Sequence, residues 1–112
     1  MNEQQVLATI FTLQERKRLA IIALCKNYAT LVIQDFQNKQ ANNKYWNNQS
    51  GFAKDLMFAQ EFEEGSVVGF FMAHAVEYGP SLELANDGKH AALRPTMESF
   101  LPQFKKDLQT IW

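Results

Sequence analysis

Two histidines, His74 and His90, are the side chains best suited to acid–base chemistry in this sequence, because imidazole is the group that changes charge near neutral pH. Glu77 and Glu83 lie close to them along the chain and could orient a catalytic imidazole. An enzyme built on these four residues would be a hydrolase or a metal-dependent catalyst. No serine has the flanking glycines of a nucleophile elbow, so an enzyme is the alternative hypothesis and not the main prediction.

Metal and cofactor sites have weaker support still. Glu61, Glu63 and Glu64 are clustered, but strand alternation places the first two on one face at a hairpin end, where a solvated carboxylate pair is the ordinary outcome. His74 with Glu77 offers two ligands of uncertain relative direction. The chain also lacks a Walker-type loop and a Gly-x-Gly-x-x-Gly motif. We therefore predict no catalytic, metal-binding or cofactor-binding residue, and no cofactor.

Length, charge and cysteine content limit the remaining classes. The 112 residues, 46% of them hydrophobic and nine of them Phe, are enough for one core. Eleven basic and twelve acidic residues give a net charge of −1, which does not favour nucleic acid or an anionic membrane as a partner of the whole molecule. The single Cys25 excludes an intrachain disulfide, and its apolar helical surroundings indicate an inert packing residue.

Neither a signal sequence nor a membrane span is expected. Residues 1–5 are polar and acidic, unlike a secretory signal, and the most apolar stretch, residues 19–25, is far shorter than the ~20 residues that span a bilayer. The prediction is synthesis in the cytoplasm.

The periodicity of apolar residues predicts an α+β fold in one domain, residues 1–112. A long N-terminal helix packs on a small antiparallel β-sheet centred on a hairpin, and a C-terminal helix follows. The predicted bounds are a helix at about 3–36, a polar loop at 38–50, a hairpin at 55–75, a turn and loop at 76–94 and a helix at 95–111. The long helix should pack through a stripe formed by Leu7, Ile10, Ile21, Leu24, Tyr28 and Leu31.

Four local features carry specific expectations. Residues 14–18 are a solvated part of the first helix, a hinge, or a break between two helices. Gly65 should adopt a positive φ in the hairpin turn, and Gly69 should let a large ring or another backbone approach the strand. Pro95 is expected as the first helical residue, with Pro102 kinking that helix or moving its start towards Ser99.

Two stretches, 19–25 and 67–72, are more apolar than one small domain readily hides. A strand that is apolar on both faces must be covered on both faces, by a second helix or by another copy of the protein. Tyr45 and Trp46 lie in a polar loop, either as a lid on the core or as a contact surface. These two, with Phe70 and Met72, are the candidate interface residues.

Basic residues cluster at Arg16, Lys17 and Arg18, and again at Lys105 and Lys106. They are either solvated charges or, in a ring, the lining of a lumen or the partners of an acidic neighbour. A nucleic-acid-binding module that uses these residues is a third and weaker hypothesis.

Two segments, 46–56 and 76–96, resemble the small tail-completion or neck proteins of HK-type siphophages and prophages, also described as minor capsid or tail-component proteins. The element order agrees with that family along the whole chain. The matching positions are Ser50, Gly51, Tyr78, Glu83, Gly88, Leu93, Arg94 and Pro95. The sequence departs from the family at Phe52-Ala53-Lys54 and at Leu84-Ala85.

The resemblance implies a non-enzymatic structural protein of the virion, at the neck or tail end. Such a subunit works in a homo-oligomeric ring, sixfold in the family, that joins head to tail between the portal-side adaptor and the tail tube. Its partners would be other copies of itself and the adjacent neck and tail-tube proteins. No membrane and no specific nucleic acid are implied, although DNA could pass through the ring lumen.

Overall fold

The computed structural model describes residues 2–47, 52–76, 78–84, 88 and 90–111. The elements are α1 (Glu3–Gln40), α2 (Phe52–Asp55), β1 (Met57–Glu64), β2 (Val67–His74), α3 (Gly79–Leu84) and α4 (Leu93–Ile111). The predicted α+β class is confirmed: the two strands form one antiparallel hairpin sheet, with the long N-terminal helix and the C-terminal helix packed on it. Ser50, Gly51 and Glu77 lie outside the described residues.

Helix α1 begins at a capping box. The Gln5 backbone N–H donates to Asn2 Oδ1 at 2.8 Å, and the Asn2 N–H donates to Gln5 Oε1 at 3.0 Å, so two N–H groups without helical acceptors are satisfied. The helix runs unbroken through residues 14–18, so neither a hinge nor a break lies there; residues 14–16 are solvated, whereas Lys17 and Arg18 are half-buried. It ends at Gln40, four residues beyond the predicted end at 36, where the backbone N–H of Ala41 still donates to the Gln37 carbonyl.

The face that α1 buries differs from the predicted stripe. Cys25, Tyr28, Val32, Phe36 and Gln40 are fully or almost fully buried, at the three- and four-residue spacing of one helical face. Leu31, which we assigned to the buried stripe, is exposed. The buried face is therefore rotated around the helix by one residue, from Leu31 to Val32. Val32 and Phe36 pack there against the core residues Trp46, Met57 and Met72.

The hairpin has one face against α1 and one face turned away. Register pairs Met57 with His74, Ala59 with Met72 and Glu61 with Phe70 on the inner face. The turn uses Gly65 at φ +60°, as predicted. On the outer face Gly69 lies opposite Phe62, whose ring is so close that an added Cβ would lie 2.8 Å from it. This confirms the close approach of a large ring at Gly69.

The C-terminal region departs from the predicted bounds of the last helix. In the segment 76–94, predicted as a turn, a short helical or irregular segment and a loop, residues Gly79–Leu84 form the short helix α3, whereas α4 begins at Leu93 and not at Pro95, which is its third residue. Pro95 still lies in the first turn, where its missing N–H has no helical acceptor to lose. Pro102 lies inside α4, so the helix does not start near Ser99. Phe100 and Phe104 pack edge-on against Tyr28 on either side of Pro102 and hold the helix to α1.

The segment after α1 folds back on the core. Gln40 Nε2 donates to the Trp46 carbonyl at 2.8 Å, and the Tyr45 N–H donates to Gln40 Oε1 at 3.0 Å. The Tyr45 and Trp46 rings then pack on Phe36. Of the two interpretations of these aromatics, the lid on the core is confirmed.

The N-terminal part of α1 extends beyond the rest of the molecule. The described chain measures 66 × 24 × 22 Å, and the side chains of residues 2–8 and 12–16 are exposed. Arg18 of α1 reaches the hairpin turn, where it donates to the Gly65 carbonyl at 3.3 Å. Residues 2–15 are called the arm below.

Candidate assembly surface

His74 and Glu83, two residues of the enzyme hypothesis, are brought together. His74 Nε2 lies 2.7 Å from Glu83 Oε1, and both side chains are largely buried, 5% and 13% exposed. His74 is the last residue of β2 and Glu83 lies in the last turn of α3, so their contact joins the sheet to α3.

The Glu83 carboxylate also forms the N-terminal cap of α4. The backbone N–H groups of Ala92 and Leu93 donate to its oxygens at 3.0 and 3.2 Å. A carboxylate is favoured at this position because the first N–H groups of a helix lack intrahelical acceptors and carry a partial positive charge. Glu83 is thereby occupied by His74 and by the start of α4.

Close packing surrounds His74. A Cβ added to Gly79 would collide with the His74 Cβ, so only glycine lets α3 approach the end of β2 this closely. The Trp46 ring lies 6.0 Å from the imidazole. The buried Nδ1 atom of His74 has no hydrogen-bond partner among the described residues.

His90 has a different set of contacts. Its Nδ1 lies 2.8 Å from the Tyr45 carbonyl, and the Tyr45 hydroxyl lies 3.3 Å from Thr96 Oγ1. His90 therefore links the chain before α4 to the segment after α1. Each histidine has its own packing partners, and no hydrogen bond joins the two imidazoles in the described part of the chain.

The acidic residues of the hairpin have separate surroundings. Across the described residues, no group of three or more His, Cys, Asp and Glu side chains is placed to hold an ion. Glu63 pairs with Arg18 at 3.5 Å. Glu61 lies on the same face as Glu63, as predicted. One of the Glu61 carboxylate oxygens is buried without a hydrogen bond among the described residues, so the predicted solvated pair is corrected for Glu61. Burial, and then the charge of Glu61, raise the pKa of Cys25.

The motif positions of the resemblance that the structure describes fall into two groups. Glu83 and Leu93 are joined through the α4 cap, and Gly88 adopts φ +75°, a conformation that favours glycine. Tyr78, Arg94 and Pro95 are exposed, and Arg94 donates to Glu98 Oε1 at 2.7 Å.

The predicted interface residues are placed differently from our expectation. Trp46 and Met72 are buried in the core of this chain, so neither offers a surface to another molecule, and their assignment as interface residues is corrected. Phe70 and Tyr45 are half-buried, and Phe70 packs on Tyr28 and Phe104. These side chains lie on the inner face of the hairpin or on the lid.

The uncovered apolar surface is the outer face of the hairpin. Phe58, Phe62 and Phe71 form an aromatic row there, with Phe71 in edge or tilted contact with the other two at ring distances of 5.9 and 6.2 Å. Phe58 and Phe71 are 39% and 38% exposed, and Val67 at the turn end of the same face is more exposed still. No helix of the described chain covers this face, since α1 and α4 pack on the inner side. Aromatic rows of this kind are typical of protein contact surfaces.

A second apolar feature lies at the base of the arm. The α1–α4 groove has a volume of about 670 Å³ and lies between α1, the turn end of the hairpin and the end of α4. It is lined by Leu13, Gln14, Lys17, Arg18, Ile21, Cys25, Ser66, Val68, Phe104 and Leu108. Its residues come from three distant parts of the sequence, which is why no sequence pattern could reveal it. Of the basic clusters, Arg18 and Lys17 line this groove, whereas Arg16, Lys105 and Lys106 are exposed.

By length and mean hydropathy α1 passes the test for a membrane span, which buried core helices of soluble proteins also pass. Comparison of the chain with protein-family models, curated proteins and solved structures gives no match.

Proposed function

We propose that this chain is a structural protein of a bacteriophage or prophage virion, a subunit of the head–tail connector or tail-completion ring. Its task is contact with other protein molecules and not catalysis. The observation that carries this proposal is the outer face of the hairpin, where Phe58, Phe62 and Phe71 have no cover from the described chain. A face of this composition gains free energy when another protein buries it, at roughly 25 cal/mol for each Å² of apolar area.

The motif geometry supports the same proposal. The resemblance to neck proteins rests on Glu83 and on the segment that begins with Leu93, and these two are joined by a buried carboxylate cap. A motif that fixes the start of α4 serves the fold and needs no catalytic role. The partners in this function are further copies of the chain, the portal-side adaptor and the tail-tube protein. DNA passes through the lumen of such a ring, where Arg16 and Arg18 are candidates to face it.

Particle assembly tests the function. In a prophage from which the gene is deleted, electron microscopy is expected to show heads and tails that fail to join, and the wild-type gene restores joining. A variant with Phe58→Ser and Phe71→Ser should fold but fail to restore it. Leu84→Ser is the matched control, since Leu84 is 79% exposed and lies outside the hairpin.

Light scattering on the purified protein tests the contacts directly, alone and with the adaptor and tail-tube proteins encoded by neighbouring genes. Association that Phe58→Ser weakens and Leu84→Ser leaves intact is expected. Normal virions from the deletion strain, or a protein that stays monomeric with every partner over a broad concentration range, would contradict the proposal.

A further inference from the structure

We propose that the outer face of the hairpin packs on the back of α1 of a second copy of this chain. The back of α1 is the helix surface turned away from the hairpin, formed by Leu19, Ala23, Lys26 and Thr30. The inference rests on the proposed function and deepens it, because it names the partner of the same aromatic row. In this contact the sheet of one copy lies between its own α1 and the α1 of the next copy.

The outer face of the hairpin calls for a helix. Among the described elements, α1 packs along both strands on the inner side, whereas Phe58, Phe71 and Val67 on the outer side are exposed. A small sheet that is apolar on both faces is stable when each face packs on another layer, commonly a helix. A helix from a second copy supplies the missing layer.

The back of α1 is a helical surface without cover. Leu19 is 56% exposed, and Ala23, Lys26 and Thr30 are exposed as well. Their spacing of three and four residues places them on one side of the helix, opposite the fully buried Val32. Leu19 is an apolar side chain that a partner can bury, and the small side chain of Ala23 leaves room for a phenylalanine ring beside it.

The two surfaces agree in length. Phe71 is paired with Gln60, and β1 rises about 13 Å from Gln60 to Glu64 at the turn end of the same face. Helix α1 rises about 10 Å from Leu19 to Lys26. With Leu19 of the second copy on the Phe71 ring of the first, its Lys26 comes within reach of Glu64.

Charge selects this pairing over contact between two outer faces. The outer-face positions of the hairpin carry Glu64 and no Lys or Arg, whereas the back of α1 carries Lys26 and no carboxylate. Glu64 and Lys26 are both exposed, and neither forms an ion pair within the described chain. Two outer faces packed together would bring no cation to either Glu64. Complementary charges at the rim of a contact orient the approach of one molecule to the other.

The contact is of the kind that builds a ring. The outer face and the back of α1 lie on opposite sides of the molecule, with the sheet and the body of α1 between them. Every copy therefore presents one surface of each kind. A contact between unlike surfaces repeats from copy to copy and closes into a ring when the rotation between copies allows it, whereas two like surfaces form a closed pair.

Thiol crosslinking tests the contact in the full-length chain. Gln60→Cys on the outer face and Ala23→Cys on the back of α1 are both exposed positions, and one chain carries both changes. At concentrations where light scattering detects association, a short bifunctional thiol reagent should give a ladder of dimers, trimers and larger multimers on denaturing gels. In the control chain, Gln109→Cys at an exposed position of α4 replaces Ala23→Cys. The wild-type protein, whose Cys25 is buried, is the blank.

Charge reversal separates contact from folding. Lys26→Glu and Glu64→Lys should each weaken association by roughly fivefold, because each places like charges across the contact. An equimolar mixture of the two variants should restore association, since every outer face then meets a back of α1 of opposite charge. Both positions are exposed, so thermal unfolding of the variants should match the wild type. Restoration by mixing cannot arise from a pair within one chain.

Three outcomes would overturn the inference. If the double-cysteine chain crosslinks no better than its control while the variant with Phe58→Ser and Phe71→Ser still fails to join heads to tails, another virion protein covers the outer face and the proposed function stands. Dimers without larger multimers from the Gln60→Cys protein alone would show that two outer faces meet. A chain that stays monomeric and is dispensable for joining heads to tails overturns both the contact and the proposed function.

Discussion

The carboxylate of Glu83 lies 2.7 Å from the imidazole of His74 and at the same time accepts the first backbone N–H groups of α4. One largely buried acidic side chain therefore connects the end of β2, the end of α3 and the start of α4. Hydrogen bonds to an ionised group are stronger than neutral ones, and leaving the donors without an acceptor in a buried site is costly. The geometry gives Glu83 and His74, two residues of the enzyme hypothesis, a structural role.

Replacement of Glu83 by Ala should destabilise the fold by about 3 kcal/mol, because two backbone N–H groups and His74 lose their acceptor together. Glu83→Gln should cost less, since one amide oxygen still accepts. The measurement is the free energy of unfolding in urea. Glu98→Ala is the control, since the Glu98 side chain is exposed and pairs with the exposed Arg94. Equal losses for Glu83→Ala and Glu98→Ala would show that the cap contributes nothing.

Much of the fold follows from local sequence patterns. The absence of Pro and Gly from residues 3–36 predicted α1, and Gly65 and Gly69 predicted the turn and the ring contact of the hairpin. What the patterns could not supply were effects of distant residues. Leu93 begins α4 because Glu83, ten residues earlier, provides its acceptor. Pro102 is accommodated because Phe100 and Phe104 pack on Tyr28, which offsets the lost helical hydrogen bond.

The candidate surface was harder to predict than the fold. Apolar residues on both faces of β2 indicated that both faces need cover, from a second helix or from another copy of the chain. Among the described elements, the helices pack on the inner face. The pattern could not tell which face would be the inner one, and Met72 and Phe70 proved to be on it. The alternation of side chains along a strand places apolar residues on both faces of β2 alike. Which face becomes the inner one is decided by the packing of α1. The α1–α4 groove depends on side chains from α1, β2, α4 and the hairpin turn, and has no local signal at all.

Gly69→Ala should destabilise the hairpin by about 1–2 kcal/mol, because its new Cβ would lie 2.8 Å from the Phe62 ring and force that ring to move. In a Phe62→Ala background the same change should cost little, because the obstructing ring is gone. A double-mutant cycle by urea unfolding measures the difference. Additive costs would indicate that the ring and the glycine are not coupled.

Tyr28 should give the chain a stability limit at high pH. Burial, together with its hydrogen bond to Asp107, raises the pKa of Tyr28 from 10.0 to about 12. Because the folded pKa lies above the unfolded one, the stabilisation is fully present below pH 10 and is lost as the pH rises towards 12.

A Tyr28→Phe variant should be less stable than the wild type by about 1 kcal/mol at pH 8, with the difference shrinking above pH 10. Urea unfolding across this pH range is the measurement. In a pH titration followed by tyrosinate absorbance, the variant should lack the ionisation at the highest pH, which belongs to Tyr28. Tyr78→Phe, at an exposed position, serves as the control. A stability difference that is constant from pH 8 to pH 12 would contradict the assignment.

Gln40→Leu should release the lid formed by Tyr45 and Trp46. The amide of Gln40 is fully buried and satisfies both the Trp46 carbonyl and the Tyr45 N–H, so the apolar replacement leaves two buried backbone groups without partners. Each such group costs about 1–3 kcal/mol, which favours a conformation in which the segment meets water instead. In a Trp112→Phe background, Trp46 is the remaining tryptophan, and its fluorescence should become more accessible to acrylamide. Gln34→Leu, on the exposed side of the same helix, should leave quenching unchanged, and equal quenching in the two variants would show that Gln40 does not hold the lid.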